Sequence, residues 1–169
     1  MPQIKGPAIF LAQFMGDQEP YNNLPNITEW VSSLGYLGVQ LPAFDGRIMD
    51  VKKAAESKAY CDDLKGQTNG LVITELASHL FGQLVASHPA YDEVFDVFAP
   101  KELHGDPKAR SKWATQQLKY VIKASRNLGL TVTPSFSGAL LWPFLYPWPQ
   151  RPDGLVEEGF AELARRWKP

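Results

Sequence analysis

A strand followed by a helix occurs four times along this 169-residue chain, and this repetition constrains the fold more than any other feature. Three of the predicted helices end at a glycine directly before the next apolar strand, at Gly35, Gly70 and Gly129. Glycine is favoured there because it adopts a left-handed backbone without steric cost. Helical crossovers join parallel strands, and they are almost always right-handed. The pattern therefore predicts a four-stranded parallel sheet covered by helices.

The four strands are predicted from short apolar runs, rich in β-branched and aromatic residues and bounded by turn formers. They are expected at residues 8–14, 36–41, 71–75 and 130–135. Pro134 lacks an amide donor, so the fourth strand should reach an edge or an end of the sheet at that point.

The helices are predicted from apolar residues at helical spacing and from their terminal residues. They cover residues 26–34, 50–64, 109–128 and 155–167. Asn26 can cap the first helix with Glu29 three residues on, and the second helix should break near Ser57. Residues 77–107 are expected to form one long irregular excursion, and such loops in compact domains are usually functional or disordered.

Composition and charge exclude several classes of protein. The 44% hydrophobic and 21% charged content is typical of one globular domain, which we place over residues 1–169. The net charge of -1 disfavours nucleic-acid and anionic-membrane partners. The first residues match neither a signal peptide nor a spanning helix, so a cytoplasmic protein is expected. Cys61 is the single cysteine, which excludes an internal disulfide and a cysteine-cluster zinc site.

Polar residues at the ends of the predicted strands form the candidate site. The carboxyl ends of parallel strands meet at one rim, where closed βα-barrels build their active sites. Neither a G-x-G-x-x-G nor a G-K-S/T loop follows any strand, so a doubly wound nucleotide-binding fold has no local support. The strand-end residues are Gln13, Gln40, Glu75 and Ser135 with Ser137.

Glu75 is the most informative of these residues because it follows the apolar run LVIT. Side chains alternate along a strand, so Glu75 is expected on the same face as Ile73, continuing an apolar row. A carboxylate in such a row is costly unless it is solvated or paired. This favours a strand end at an open pocket, and the alternative is that Glu75 pairs with a helix terminus or an arginine.

At TELASHL, HPAYD and SFSGALLWPFLYPWPQRP the chain resembles the sugar phosphate isomerase/epimerase family, the xylose-isomerase-like or family-two apurinic-endonuclease-like TIM barrels. The resemblance covers essentially the whole chain. It implies an α/β fold in which a parallel (β/α)4 unit forms half of a TIM-type barrel with its helices outside. A complete barrel needs roughly 250 residues, and this chain supplies four of the eight units.

The resemblance also implies an activity. Family members isomerise or epimerise sugars or polyol derivatives, which proceeds through an enediol-type intermediate, and this chain should be active only when the barrel is completed. Their divalent metal, Mn, Mg or Zn, is usually held by Glu, Asp and His residues on the later strands. None of those metal ligands can be carried over to this sequence, and no residue here is assigned a catalytic role.

The expected substrate contacts are polar groups that orient hydroxyls and aromatic rings that stack on a sugar. Glu75 and His79 suit the first role, and Arg151 could hold a carboxylate or phosphate bidentately. The candidate stacking residues are Trp142, Tyr146 and Trp148. The alternative is that these aromatic residues only cap the barrel and pack on residues 77–107. Together with Gln13, Gln40 and Ser137, these residues define the predicted binding rim.

Two further expectations concern function and assembly. The alternative to an enzyme is a non-catalytic module that binds a small molecule or a protein, having kept the rim and lost the metal. Unpaired edges at residues 8–14 and 130–135 should drive association, because exposed strand edges and apolar patches pair with other chains. We therefore expect a homodimer or a complex with a complementary half-barrel.

Overall fold

The computed structural model describes residues 6–144 and 151–168. Its described residues form three strands, β1 (Ala8–Phe10), β2 (Gly38–Pro42) and β3 (Val72–Ala77). The strands are parallel and lie in the order β1-β2-β3, so neighbours in the sheet are also neighbours along the chain. The α/β class and the parallel arrangement predicted from the sequence are confirmed for these three strands.

Seven α-helices lie between and after the strands in the described part of the chain. They are α1 (Leu24–Ser33), α2 (Val51–Glu56), α3 (Lys58–Gly66), α4 (His79–Gln83), α5 (Asp92–Phe95), α6 (Pro107–Leu128) and α7 (Leu155–Trp167). Short 3-10 turns occur at Ala12–Phe14, Pro89–Tyr91, Asp96–Phe98, Lys101–Leu103 and Trp142–Phe144. None of the helices within the described ranges has the length and apolar character needed to cross a membrane.

The chain divides into two compact units, which we describe separately. The first unit comprises Met1–Ser78 and Gln117–Pro134, and it contains the sheet. The second unit comprises His79–Gln116 and Ser135–Pro169, and it contains α4, α5 and α7. That residues 1–169 act as one domain stays a prediction.

Of the glycines that suggested the repeat, Gly35 and Gly129 lie at the C-terminal ends of α1 and α6 as expected. The expectation is wrong for Gly70, because α3 already ends at Gly66 and Gly70 belongs to the turn before β3. Gly35, Gly70 and Gly129 have φ angles of +84°, +80° and +79°, which side chains other than glycine rarely adopt. The predicted break at Ser57 is also confirmed, because this residue ends α2 and its hydroxyl accepts a hydrogen bond from Tyr60 N at 3.2 Å. The confirmed signals were reliable because each acts through the backbone of its own turn.

The start of α1 differs from the prediction. Asn23, not Asn26, is the N-cap, and its side-chain oxygen accepts a hydrogen bond from Asn26 N at 2.9 Å. Pro25 lies in the first turn, where the missing amide proton has no intrahelical partner to lose. The helix therefore begins two residues earlier than the predicted range 26–34.

The first predicted strand is shorter than residues 8–14. Leu11 adopts a helical backbone with φ -78° and ψ -26°, and its amide donates to Gln40 O at 3.2 Å before the chain turns. Gln13 therefore lies in the 3-10 turn Ala12–Phe14 and is exposed. The prediction that Gln13 ends a strand is wrong, because the strand stops at Phe10.

The predicted fourth strand at residues 130–135 is wrong, since this segment has no regular secondary structure. Its polar groups bond locally: Leu130 N donates to Ser125 O at 2.8 Å, and the hydroxyls of Ser125 and Thr133 are 2.9 Å apart. Pro134 has no amide donor, and its carbonyl accepts from Ser78 N at 2.9 Å. Three paired strands are therefore present in the described residues where the sequence predicted four.

The excursion at residues 77–107 is not one irregular loop. It folds into α4 and α5 joined by 3-10 turns. The long helix predicted at 109–128 begins two residues earlier, at Pro107, and the last helix matches its predicted range, Leu155–Trp167. Regular structure in the excursion was missed because turns of three to five residues carry too few positions to show a helical period.

Candidate functional site

Gln40 and Glu75 meet inside two neighbouring strands, each two residues before the carboxyl end of β2 or β3. The prediction that they end their strands is wrong, because the ladder continues through the pairs Leu41 with Leu76 and Pro42 with Ala77. Gln40 Nε2 donates a hydrogen bond to Glu75 Oε2 at 2.5 Å, and both side chains are partly buried. Among the described residues, the Glu75 side chain makes no hydrogen bond other than this one. The structure thus brings together two of the predicted rim residues, 35 positions apart in the chain.

A register shift in the sheet produces this contact. Val39 pairs with Ile73, yet Gln40 pairs with Glu75, so Thr74 is an extra residue in β3. Thr74 Oγ1 donates to Val39 O at 3.1 Å, which satisfies a carbonyl at the irregular point. An extra residue of this kind moves the following side chains to the opposite face.

The shift corrects the predicted orientation of Glu75. Strict alternation would place Glu75 beside Leu41, on the face that also carries Val39 and Ile73. The register instead aligns Glu75 with Gln40 and leaves Leu41 beside Leu76, both fully buried. The carboxylate therefore avoids the apolar row, and it has a hydrogen-bond donor in place of the arginine or helix terminus considered from the sequence.

The pair has free hydrogen-bonding capacity that a ligand could use. One hydrogen bond occupies a fraction of the acceptor sites on the Glu75 carboxylate, and the Gln40 amide retains a second N–H and its oxygen. Such a group of adjacent donors and acceptors complements hydroxyls, which both donate and accept. The pair is thus chemically suited to a polyhydroxylated molecule.

His79 lies at the start of α4 in the second unit. Its ring packs edge-on against Phe136, with centroids 4.6 Å apart. Burial lowers the pKa of His79, because desolvation disfavours the charged imidazolium. At neutral pH the ring is therefore neutral.

The sequence left two roles open for Trp142, stacking on a ligand and packing on residues 77–107, and its surroundings are compatible with both. Its ring contacts Tyr91 and Phe95 edge-on, with centroids 5.7 and 5.9 Å away, so it packs on residues of the 77–107 segment. It nevertheless remains 51% exposed. Ser137 is also exposed, and its carbonyl accepts a hydrogen bond from Trp167 Nε1 at 2.8 Å.

The remaining predicted contacts divide between the two units. Gln13 belongs to the first unit with Gln40 and Glu75, and Arg151, which is exposed, belongs to the second with His79, Ser137 and Trp142. The candidate stacking residues Tyr146 and Trp148 lie outside the described residues. Direct side-chain contact among the predicted rim residues is therefore described for Gln40 and Glu75.

The resemblance implies a divalent metal, which would need a group of side chains able to bind it. Within residues 6–144 and 151–168, no three His, Cys, Asp or Glu side chains are grouped so as to hold a metal ion. The donor set described here does not fit the metal site that the resemblance implies. Cys61 offers no thiolate ligand, because burial raises the pKa of its thiol.

A surface cavity of about 450 Å³ in the first unit was not predicted. It is lined by Glu19, Pro20, Asn26, Glu29, Trp30 and Ser33. Trp30 is held in place by edge contacts with Phe14 and Tyr21, whose ring centroids lie 5.2 and 5.3 Å away. The helical spacing of residues 26, 29, 30 and 33 was a signal that one surface of α1 presents these side chains together.

Comparisons with known proteins give no family for the chain. A scan against protein-family models finds no match, and no curated protein matches it significantly. The resemblance to sugar phosphate isomerases and epimerases therefore rests on the quoted sequence stretches, and the activity that it implies is a proposal.

Proposed function

We propose that this chain is the N-terminal half of a barrel of the sugar phosphate isomerase/epimerase type, and that Gln40 and Glu75 bind hydroxyls of a sugar or polyol. The observation that carries the proposal is the 2.5 Å hydrogen bond between their side chains on adjacent parallel strands, two residues before the carboxyl end of each strand. Ligand sites in parallel α/β folds lie at the carboxyl ends of the strands.

The strand order is compatible with the barrel that the resemblance implies. A barrel places consecutive strands side by side, whereas a doubly wound sheet reverses direction at a switch point between strands. The described sheet has the order β1-β2-β3, which a barrel shares with one half of a doubly wound sheet. We propose half of a TIM-type barrel around these strands, because no G-x-G-x-x-G or G-K-S/T loop of a doubly wound nucleotide-binding fold follows any of them in the sequence.

The chemistry of the pair favours a neutral polyol as ligand. The Gln40 amide fixes the Glu75 carboxylate through a charge-assisted hydrogen bond, which reduces the conformational freedom lost on binding. Two adjacent hydroxyls can then donate to the carboxylate and accept from the amide. A vicinal diol has the matching arrangement of groups.

Catalysis requires more than this pair. Proton abstraction next to a carbonyl needs a positioned base and a group that stabilises the oxyanion. We assign neither role to a residue of this chain and derive no step through a metal. Isomerase or epimerase activity is proposed for the completed barrel, and the alternative is a binding module without catalysis.

Replacing Glu75 with glutamine tests the proposed ligand contact. We expect calorimetric titration with a panel of aldoses, ketoses and sugar acids to show binding that Glu75→Gln weakens about 10-fold, because a hydrogen bond to a charged group contributes about 1.5–3 kcal/mol. Thermal unfolding should change little, since glutamine can keep a hydrogen bond to Gln40.

Glu56→Gln is the matched control, because Glu56 is exposed at the end of α2 in the same unit. It should leave affinity unchanged. Equal binding by Glu75→Gln and the wild type would remove the pair from the site. A large loss of stability in Glu75→Gln would instead assign the pair a structural role.

Hydrogen exchange in the bound ligand separates the enzyme from the binding module. An isomerase or epimerase exchanges a carbon-bound hydrogen of its substrate with solvent through the enediol. NMR in D2O, with the missing barrel strands supplied by a complementary chain and Mn, Mg or Zn added, should show this exchange. Binding without exchange would favour the module.

A further inference from the structure

An apolar stripe runs along α7, with Val156, Phe160 and Trp167 exposed and Leu163 half-buried. Val156, Phe160, Leu163 and Trp167 recur at spacings of four, three and four residues, which places them on one side of a helix. Phe160 is 64% exposed although it lies in the middle of this stripe. Apolar rings in that position usually mark an interaction surface, because their exposure to water is unfavourable.

A groove lies beside the stripe within the same unit. It has a volume of about 170 Å³, and its walls are formed by residues 137–142 together with Gly159, Phe160 and Leu163 of α7. A cavity of about 150 Å³ holds a benzene ring, so this groove can receive one aromatic side chain. The surface thus offers a ring, Phe160, and a recess next to it.

The charges of α7 are unequally distributed along its length. Glu157 and Glu158 lie in the first turn, and Lys168 follows the last. None of these three forms an ion pair with another described residue, whereas Arg165 and Arg166 are already paired with Glu162. Among the described residues, the helix therefore has acids without an ion-pair partner at one end and a base without one at the other.

We propose that α7 docks antiparallel against α7 of a second copy of this chain. A twofold axis between residues 161 and 162 places Phe160 of each copy opposite Leu163 of the other, at the mouth of the groove. It also places Val156 opposite Trp167. The stripe is then complementary to itself, as a twofold interface requires.

The charge pattern selects both the partner and the orientation. In the antiparallel arrangement Glu157 of each copy lies near Lys168 of the other on the same flank of the helix pair, so both unpaired charges gain a partner. A parallel arrangement would bring like charges together and align the helix dipoles. A second copy supplies the ring, the recess and the opposite charges in one surface.

This interface differs from the strand-edge dimer expected from the sequence. That dimer used the edge of a fourth strand at residues 130–135, and this segment is not a strand. The α7 interface needs neither a strand edge nor a sugar ligand. It is therefore independent of the proposed function, and either can fail without the other.

Sedimentation equilibrium of the 169-residue chain at 1–100 µM is the direct test. The wild type should sediment at about twice 18.9 kDa. Phe160→Ser should weaken dimerisation about 100-fold, because the dimer buries two copies of this ring. Val97→Ser is the matched control: Val97 is 73% exposed in the same unit and lies in the turn Asp96–Phe98, outside α7, and its replacement should leave the dimer intact.

Charge reversal tests the orientation. Glu157→Lys should raise the dissociation constant several-fold by placing lysines at residues 157 and 168 opposite each other. Adding Lys168→Glu should restore the wild-type value, which only antiparallel pairing explains. Circular dichroism should show the same helix content in every variant.

Three results would overturn the proposal. These are a wild type that stays monomeric at 100 µM, a dimer that Phe160→Ser leaves unchanged, and a double charge variant that fails to recover the affinity lost in Glu157→Lys. A dimer lost in Phe160→Ser and restored by the second charge reversal supports it.

Discussion

The two units of the chain satisfy their polar groups in different ways. In the first unit the backbone of β1, β2 and β3 is paired in a parallel ladder, and the polar pair Gln40 and Glu75 lies within it. In the second unit the described strand-like pairing is a single bridge between Ser87 and Ala139. Without a ladder, the second unit depends on side chains to hold its backbone.

Arg110 is an example of a side chain that holds the backbone of the second unit in place. Its side chain is 1% exposed and donates from Nη1 to Asp92 O at 2.6 Å and from Nη2 to Asp92 Oδ1 at 2.9 Å. It also forms an ion pair with Asp96, whose other carboxylate oxygen accepts from Gly105 N at 2.8 Å. One arginine on α6 thus fixes α5 and the turns around it. Short helical turns leave many amides and carbonyls without a partner, and buried charges supply the missing bonds.

The largest test of this contrast is Arg110→Ala. We expect the second unit to lose about 3–5 kcal/mol of unfolding free energy, because the change leaves two aspartates without their buried partner. Hydrogen exchange of the amides at residues 79–116 during urea denaturation reports on that unit. Lys112→Ala, on an exposed face of the same helix, should shift stability by no more than about 0.5 kcal/mol. Equal effects of the two variants would show that Arg110 is not an anchor.

Replacing one glycine in each unit with alanine should change stability by a smaller amount. A Cβ at Gly82 in the second unit would clash with Ser135 Oγ and Phe136 O, so Gly82→Ala should cost about 1–3 kcal/mol. A Cβ at Gly66 in the first unit meets no atom within 4 Å, and alanine there should stabilise α3 by about 0.5 kcal/mol. Differential scanning calorimetry of both variants should give opposite shifts, and shifts of the same sign would contradict this packing difference.

The smallest effect concerns pH. The hydrogen bond from Gly105 N, together with Arg110, holds the pKa of the Asp96 carboxyl below its ordinary value. Because the unfolded chain then binds the proton first, this stabilisation is complete above about pH 4 and is lost as the pH falls further. The difference in unfolding free energy between the wild type and Asp96→Asn should therefore shrink from pH 5 to pH 3. A constant difference, as expected for the exposed control Asp153→Asn, would contradict the assignment.

The features of the fold that follow from local chemistry could be predicted from the sequence. The glycines at positions 35 and 129 closed their helices, and Leu155–Trp167 formed the predicted helix. The segment 130–135 has the β-branched composition of a strand, yet its polar groups bond to Ser125 and Ser78. A strand forms there only if an adjacent strand pairs with its backbone, and the local sequence does not show whether such a strand is present.

Individual polar residues of the candidate site could be named from the sequence, but the contacts between them could not be predicted. The polar side chains in the apolar runs at Gln40 and Glu75 are in contact with each other, whereas Gln13 and His79 lie in helical turns. The aspartates at positions 92 and 96, one helical turn apart, were the available signal for a buried arginine. Their partner Arg110 could not be identified, because the contact joins residues 14 and 18 positions apart across irregular structure.

The extra residue at Thr74 has a consequence for comparing this chain with others. Up to Ile73, positions counted along β3 correspond to positions counted along β2, and after Thr74 they are offset by one. Two homologues that differ by a single deletion in this strand would therefore present different side chains beside Gln40, even if every other residue were identical. Alignments through β3 should therefore pair residues that have the same neighbour in β2. The insertion of one residue, without any substitution, is enough to change the direction in which the Glu75 carboxylate points.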